Sequence, residues 1–223
     1  MPLEHCDIRQ LTPFTRLGLC RIDETLEGSP RQRERMAVQQ LLTVMMQGDT
    51  SFTIGHEPSG KPFLQSHPEA LNSHPLSLIS QLSTLNPQPS SLNSHLSTLN
   101  PQLSTLNPHI SVSHTRGYAA LLLSDDCRVG VDIEYRSDRV ERIASRFIRP
   151  DERAETTDEK LLLWSAKEAV YKLFSEDRLG FFDMRALSIG DGYLTMWVEK
   201  KRIAVSVCYE FTDDYVLTYV LDA

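Results

Sequence analysis

Gly130-Val131-Asp132-Ile133-Glu134 and Trp164-Ser165-Ala166-Lys167-Glu168-Ala169-Val170-Tyr171-Lys172 are the two most informative stretches of this chain. Apolar and polar residues alternate in the first, which predicts a half-buried strand with Asp132 and Glu134 on one face. Their Cα atoms would lie about 6.6 Å apart. The second predicts a helix that carries Glu168 between two lysines. Three carboxylates beside lysines suit a divalent cation that neutralises a phosphorylated substrate.

Each stretch also has a purely structural interpretation. An isolated Asp-x-Glu on a strand most often faces solvent and does nothing more. Glu168 and Lys172 are i,i+4 neighbours in the favourable orientation, and such surface pairs contribute a few tenths of a kcal/mol. Trp164 lies one turn before Glu168, where it either borders the core or walls a ligand cleft. Only the two stretches together favour a site.

The composition is that of an ordinary soluble globular protein, with 40% hydrophobic and 24% charged residues. A formal net charge of −7 argues against nucleic-acid binding, which usually requires a basic excess. No apolar run approaches the ~18 residues that span a bilayer. The N-terminus lacks a secretory pattern, so we expect a cytoplasmic protein without membrane contact.

The four cysteines are scattered and show no CxxC spacing. This pattern predicts free thiols in a reducing compartment, and disfavours a disulfide framework or a zinc site. The cysteines are Cys6, Cys20, Cys127 and Cys208.

Residues 65–108 differ in composition from the rest of the chain. They contain one charged residue, Glu69, and repeat Leu-Ser-Thr-Leu-Asn-Pro from Leu82, Leu96 and Leu103. A proline in each unit excludes a coiled coil. We therefore predict a low-complexity, disordered insertion. It would separate an N-terminal lobe over 1–64 from a C-terminal lobe over 109–223.

Three helices are predicted outside this insertion. The first covers residues 30–47 and begins with Ser29 as N-cap and Pro30 in the first turn. A short one covers 137–147 with Val140 and Phe147 among its inward residues. The third covers 161–174, after Thr156 and Glu159 at capping-box spacing.

Strands are predicted around these helices. Two precede the Asp132 strand, at 110–113 and 118–123, and three end the chain, at 193–198, 203–209 and 215–221. Asp191-Gly192 is a hairpin signal before the first of those three. The pattern indicates an α+β fold with mostly antiparallel strands.

Two further segments offer candidate ligands for phosphate. Gly60-Lys61-Pro62 is a turn that presents Lys61, the only lysine before Lys160, on a stiff backbone. Ser113-His114-Thr115 closes a predicted strand and would offer the imidazole of His114. A lone histidine at a strand end is more often structural or merely exposed.

Together these four segments resemble the 4′-phosphopantetheinyl transferase superfamily. The signature pair G-[VI]-D-[IVL]-E and [FW]-[ST]-x-K-E-[AS]-x-x-K matches Gly130 to Glu134 and Trp164 to Lys172. The G-K-P and S-H-[ST] motifs of the larger, two-lobed members match Gly60 to Pro62 and Ser113 to Thr115. Order and spacing agree once residues 65–108 are set aside.

The resemblance implies a pseudo-dimer of two similar α+β lobes, each with one long helix, and coenzyme A in the cleft between them. Asp132, Glu134 and Glu168 would hold Mg²⁺ on the pyrophosphate, with Glu168 as candidate base. Coenzyme A would be bound by Lys61, His114, Lys167 and Lys172, and Lys172 would also act in catalysis.

The reaction implied by the resemblance moves the phosphopantetheine arm from coenzyme A to a serine of an apo acyl or peptidyl carrier protein. Adenosine 3′,5′-bisphosphate is released. Two lobes in one chain would make a monomer sufficient. Two other hypotheses stay open: a non-catalytic relative that binds coenzyme A or a carrier protein, and an unrelated Mg²⁺-dependent phosphotransferase.

The sequence departs from the family pattern in its first helix. Many members carry a basic residue near the middle of that helix, where this chain has Gln39-Gln40. Arg31, Arg33 and Arg35 lie one or two turns earlier and are candidates to hold the 3′-phosphate.

Arginines also recur every three or four residues after the Asp132 strand. Those from Arg139 to Arg146 would form one solvent-facing stripe of the predicted short helix. Such a stripe is either a solvated face paired with nearby acids or a docking surface for an acidic carrier protein.

Overall fold

Two antiparallel sheets form the framework of the protein. The computed structural model describes residues 6–23, 25, 27–66 and 108–222. The first sheet has four strands in the order β1-β2-β6-β5. These strands are β1 (Cys6–Thr12), β2 (Thr15–Arg21), β5 (His109–Thr115) and β6 (Tyr118–Ser124).

The second sheet has five strands in the order β7-β11-β10-β9-β8. All its pairings are antiparallel. The five strands are β7 (Val129–Tyr135), β8 (Met184–Ile189), β9 (Tyr193–Val198), β10 (Ile203–Phe211) and β11 (Tyr215–Leu221). A separate hairpin pairs β3 (Phe52–His56) with β4 (Pro62–Ser66).

Each sheet is covered by one long helix. Helix α1 (Pro30–Met45) begins at Ser29, whose hydroxyl accepts a bond from the Gln32 backbone N–H while the Gln32 side chain accepts one from Ser29 N–H. Its buried face packs on the first sheet through Leu41 and Leu42, which are fully buried. The predicted capped helix is thus confirmed.

Helix α2 (Thr157–Leu173) covers the second sheet and has the predicted Thr156–Glu159 capping box. Its apolar face joins β9, β10 and β11 in the largest core cluster. The predicted α+β class is therefore confirmed: two lobes, each an antiparallel sheet with one long helix.

An apolar cluster also joins the two sheets to each other. Its members include Leu17 and Leu122 of the first sheet and Val131 and Leu217 of the second.

The predicted short helix over 137–147 is not continuous and is not an α-helix. The segment forms two short 3-10 turns, Asp138–Arg142 and Ala144–Arg146, interrupted at Ile143. Val140 and Phe147 are buried as expected. The Phe147 carbonyl accepts a bond from a lysine side chain of α2, so the end of the segment is fixed by tertiary contact. So short a helix has little stability of its own, and these contacts determine its shape.

The strand that carries Asp132 is more buried than predicted. From Val129 to Ile133 every residue of β7 is buried, because α2 covers one face and the first sheet covers the other. The expectation of a half-buried strand holds only at Glu134 and Tyr135, where the strand ends.

The division of the chain at residues 64 and 109 stays a prediction. Strand pairing nevertheless assigns β5 and β6 to the sheet of β1 and β2, because β6 pairs with β2. Gln65 and Ser66, placed in the insertion by composition, belong to β4. The rest of the predicted insertion, residues 67–107, lies outside the described residues.

Among the described helices, none is long and apolar enough to cross a membrane.

Candidate active site at the junction of the lobes

Gly130 lets strand β7 lie directly against helix α2. A Cβ at this position would lie 2.1 Å from the Ala169 carbonyl oxygen and 3.0 Å from the Leu173 amide nitrogen. Both are backbone atoms of α2, so no side-chain rotation could relieve the clash. The glycine of the first stretch is therefore required by packing, and the close approach brings Lys172 of α2 to Asp132 of β7.

Asp132 is buried, with 4% of its surface exposed, and its carboxylate is oriented by two donors. Its Oδ1 accepts bonds from Ser113 Oγ at 2.9 Å and from Lys172 Nζ at 2.8 Å. Lys172 Nζ also donates to the Val131 carbonyl at 2.9 Å. The second oxygen, Oδ2, is buried and has no hydrogen-bond partner among the described residues.

Glu134 lies at the end of β7, where Trp164 Nε1 donates to its Oε1 at 2.7 Å. Burial, followed by the negative charge of Asp132, raises the pKa of Glu134 to about 7. The bond from Trp164 and the charge of Lys172 oppose this shift. Trp164 thus contacts a candidate metal ligand as well as the core.

Glu168 lies on the face of α2 that meets β7. Burial and the charge of Asp132 raise the pKa of Glu168, and Lys172 opposes them. The three carboxylates therefore lie close enough to destabilise one another's charged forms.

This donor set fits a divalent cation in its chemistry. As placed, no three histidine, cysteine, aspartate or glutamate side chains in the described part of the chain converge as a metal site. Lys172 pairs with Asp132, and Trp164 pairs with Glu134. The unpartnered Oδ2 of Asp132 and the mutual repulsion of the three carboxylates are nevertheless what a bound cation would relieve. Carboxylate oxygens are also the ligands that Mg²⁺ prefers.

A cleft of about 1040 Å³ opens beside these groups, between the lobes. Glu168 and Lys172 line it from the second lobe, and Lys61 and His114 line it from the first. Four of the predicted site residues thus share one cleft. Asp132 lies just behind it, in contact with Lys172.

Lys61 lies in the turn between β3 and β4, where Gly60 has a φ of +88° that glycine adopts readily. Its ammonium pairs with Glu176 of the second lobe at 2.6 Å. His114 lies near the end of β5, and its Nδ1 lies 3.4 Å from Glu34 of α1. Both side chains therefore have an acidic neighbour at the edge of the cleft.

Helix α1 contributes two arginines to the same cleft, Arg31 and Arg35. Arg33, the third candidate, is not among the residues that line it. Gln39 lines the cleft too, but its side-chain amide donates to the Phe52 carbonyl at 2.8 Å and so fixes the β3 strand.

Lys167 does not join this site, contrary to its predicted contact with coenzyme A. Its side chain is fully buried on another face of α2, where Nζ donates to the Phe147 carbonyl at 2.7 Å and to Glu152 at 2.6 Å. One residue along an α-helix rotates the side chain by about 100°, so Lys167 and Glu168 point in different directions. Lys172, four residues after Glu168, shares its face.

Sequence reasoning missed the part played by Ser113. The hydroxyls of Ser111, Ser113 and Thr115 accept bonds from the backbone N–H groups of Val131, Ile133 and Tyr135 at 3.0, 3.2 and 3.0 Å. The signal was a hydroxyl at every second residue of β5, which places all three on one face.

One comparison with known proteins matches the part of the chain that contains β7 and α2. Residues 128–220 match the family model of the 4′-phosphopantetheinyl transferase superfamily. A search of curated proteins finds no match for the chain. The matched segment begins just before β7 and includes α2, so it carries Asp132, Glu134, Glu168 and Lys172. Residues 128–220 therefore form a domain of the 4′-phosphopantetheinyl transferase superfamily.

Proposed function

We propose that the protein is a Mg²⁺-dependent 4′-phosphopantetheinyl transferase of the two-lobed type. It moves the phosphopantetheine arm of coenzyme A to a serine of an apo acyl or peptidyl carrier protein and releases adenosine 3′,5′-bisphosphate. The observation that carries the proposal is one cleft, lined by Lys61, His114, Glu168 and Lys172, with Asp132 directly behind it.

The charges around the cleft support coenzyme A as the substrate. Its pyrophosphate is anionic, and Lys61 and Lys172 reach the cleft from opposite lobes. His114 adds a hydrogen-bonding imidazole. Arg31 and Arg35 are the candidates for the 3′-phosphate, since both line the same cleft.

Asp132, Glu134 and Glu168 are the proposed Mg²⁺ ligands. A bound Mg²⁺ would neutralise charge on the pyrophosphate and polarise the phosphorus that is attacked. Trp164 orients the Glu134 carboxylate, and Lys172 orients that of Asp132. Lys172 lines the cleft while its ammonium pairs with Asp132, so it would also be placed to contact a phosphate oxygen of the substrate.

Glu168 is the proposed base. Its raised pKa makes its carboxylate a better proton acceptor than an ordinary glutamate. The serine oxygen of the carrier protein bonds to the phosphorus that bears the pantetheine arm, and the bond from that phosphorus to adenosine 3′,5′-bisphosphate breaks. The serine proton passes to Glu168. Positioning and charge neutralisation supply most of the catalysis in such a transfer.

The test is incubation of the protein with coenzyme A, Mg²⁺ and a panel of apo carrier proteins, followed by intact-mass analysis. We expect a gain of one phosphopantetheine group on at least one carrier protein, and none when EDTA replaces Mg²⁺. No gain on any carrier protein, with a correctly folded enzyme that still binds coenzyme A, would favour the non-catalytic alternative.

The remaining proposals concern context. We propose that the protein is cytoplasmic. We also expect a monomer, because both lobes that form the cleft belong to one chain. Analytical ultracentrifugation tests the oligomeric state.

A further inference from the structure

Two strands of different sheets, β5 and β7, are joined by side-chain hydroxyls. These two strands do not form backbone hydrogen bonds with each other, since β5 pairs with β6 and β7 pairs with β11. Instead, three hydroxyls of β5 accept hydrogen bonds from the backbone N–H groups of alternate β7 residues. We call these residues, Ser111, Ser113 and Thr115, the hydroxyl ladder. The ladder therefore links the first lobe to the strand that carries the proposed metal ligands.

Ser113 differs from its two neighbours in the ladder. Its oxygen accepts from Ile133 N–H at 3.2 Å, and its proton is donated to Asp132 Oδ1 at 2.9 Å. Ser111, two residues earlier, accepts from Val131 N–H but makes no bond to a carboxylate among the described residues. Both serines are buried, with 7% and 2% of their surface exposed.

The bond from Ser113 determines which oxygen of Asp132 remains available. Oδ1 is occupied by Ser113 and Lys172, whereas the buried Oδ2 has no partner in the described part of the chain. A carboxylate bound only by Lys172 could rotate about its χ2 torsion, which is broad for aspartate. A second donor from a different strand removes that freedom.

We propose that Ser113 is a positioning residue, which fixes the Asp132 carboxylate through Oδ1 and leaves Oδ2 available as a ligand for the proposed cation. This inference rests on the proposed Mg²⁺ site. Side chains that hold metal ligands in this way typically change metal affinity by about 10- to 100-fold when they are removed.

The matched test compares Ser113→Ala with Ser111→Ala. Each variant removes one bond of the hydroxyl ladder, but only Ser113→Ala removes the bond to Asp132. Mg²⁺ is titrated calorimetrically into protein saturated with coenzyme A, and thermal melting is measured in EDTA. We expect the melting temperature in EDTA to fall by similar amounts in both variants. The Mg²⁺ affinity should fall by at least about tenfold in Ser113→Ala and stay within about twofold of the wild-type affinity in Ser111→Ala.

Transfer kinetics provide a second readout. In Ser113→Ala the Mg²⁺ concentration for half-maximal rate should rise about tenfold, while the KM for coenzyme A at saturating Mg²⁺ stays within about twofold. If Ser113→Ala does not fold, Ser113→Cys retains a weak donor at this position. That variant should also lose Mg²⁺ affinity severalfold.

Equal Mg²⁺ affinities of the Ser113 and Ser111 variants would overturn the positioning role and leave the proposed function intact. Wild-type protein that binds coenzyme A but no Mg²⁺ would overturn the metal site itself, and the positioning role with it.

Discussion

At the residue scale, the proposed site depends on carboxylates that are buried close together. Asp132 is neutralised by Lys172, whereas Glu134 and Glu168 both have raised pKa values. Mutual repulsion of buried carboxylates lowers the stability of the fold. Carboxylates with perturbed pKa values in a cleft are typical of active sites, where function requires them.

Substitution of these carboxylates should abolish transfer. Asp132→Ala removes a metal ligand, and Glu168→Gln removes the base with almost no change of volume. We expect turnover to fall by at least about two orders of magnitude in each, as is typical for loss of a positioned base. Intact-mass kinetics measure the rate, and circular dichroism checks the fold.

Glu155→Gln, a change at an exposed carboxylate outside the cleft, is the matched control and should keep the wild-type rate. Near-full activity of both folded site variants would refute the proposed site.

The titration of Glu134 should make Mg²⁺ binding depend on pH. Its pKa rises from 4.5 to about 7 on folding, so between these values the folded protein binds more protons than the unfolded chain. Its contribution to the free energy of unfolding is complete below pH 4.5 and is lost as the pH rises through about 7. Mg²⁺ requires the deprotonated form and therefore competes with this proton.

We expect Mg²⁺ to raise the melting temperature more at pH 8 than at pH 6, with coenzyme A present in both. Below the pKa, affinity should fall by up to about tenfold per pH unit. The same series in EDTA isolates the intrinsic effect of pH on stability. An equal Mg²⁺ effect at both pH values would contradict the assigned pKa.

The sequence predicts the parts of the site that depend on local contacts, and it does not predict the parts that depend on tertiary contacts. Glu168 and Lys172 share a helix face because of their spacing, and this was visible in the sequence. The burial of Lys167 against Phe147 and Glu152 depends on tertiary contacts 20 and 15 residues away, which no local pattern encodes. The bond from Ser113 to Asp132 also joins residues of different sheets.

At the element scale, the contact between β7 and α2 fixes the geometry of the site. It relies on the missing side chain at Gly130, where a Cβ would overlap the Ala169 carbonyl. Backbone atoms can move only if the helix shifts, and a shift would carry Glu168 and Lys172 away from Asp132.

Gly130→Ala should therefore destabilise the fold and the site together. We expect the free energy of unfolding to fall by at least about 2 kcal/mol, because overpacking against a rigid backbone strains the core. Urea denaturation measures it. Gly180→Ala is the control, since φ at Gly180 is −90° and its added Cβ would come no closer than 3.4 Å to any atom. A Gly130→Ala protein as stable as the control would show that the helix tolerates the shift.

The same contrast explains which elements the sequence predicted. The two capped helices and the last three strands have strong local signals, and their ends differ from the predicted ones by at most four residues. Five strands were not predicted: β1, β2, the hairpin strands β3 and β4, and β8. The segment 137–147 has a helical pattern but is shaped by its contacts with α2.

At the scale of the whole molecule, the two lobes are held together by contacts at the cleft and elsewhere. Lys61 pairs with Glu176 at its rim, and Arg9 of β1 pairs with Glu210 of β10 at 2.5 Å. The hydroxyl ladder adds a third connection. A substrate that displaces Lys61 from Glu176 thus acts on a contact between lobes.

The exposed arginines after β7 are the proposed docking surface for the carrier protein. Arg139, Arg142 and Arg146, here called the arginine surface, are all exposed. Of the three acids that would pair with them in a solvated face, Asp138 is exposed, whereas Glu141 and Glu152 are engaged by other residues. Glu141 accepts bonds from Lys160 and Thr157, and Glu152 accepts from Lys167. The 3-10 turns replace the predicted helix without burying these side chains.

Reversing charge on the arginine surface should therefore weaken binding of the carrier protein. Carrier proteins are typically acidic, and this chain is itself acidic, so docking requires a local basic patch. Arg139→Glu with Arg142→Glu should raise the KM for the carrier protein about tenfold or more and leave the KM for coenzyme A nearly unchanged. Steady-state kinetics with each substrate varied in turn separate the two constants.

Salt provides the independent check on this surface. The wild-type rate at low carrier-protein concentration should fall as ionic strength rises, because salt screens attraction between exposed charges. The double variant should be less sensitive to salt. Lys200→Glu with Arg202→Glu, a reversal of two exposed charges in the turn between β9 and β10, is the matched control and should keep the wild-type KM. An unchanged carrier-protein KM in the Arg139, Arg142 variant would mean that these arginines only face solvent, and that the carrier protein docks elsewhere around the cleft.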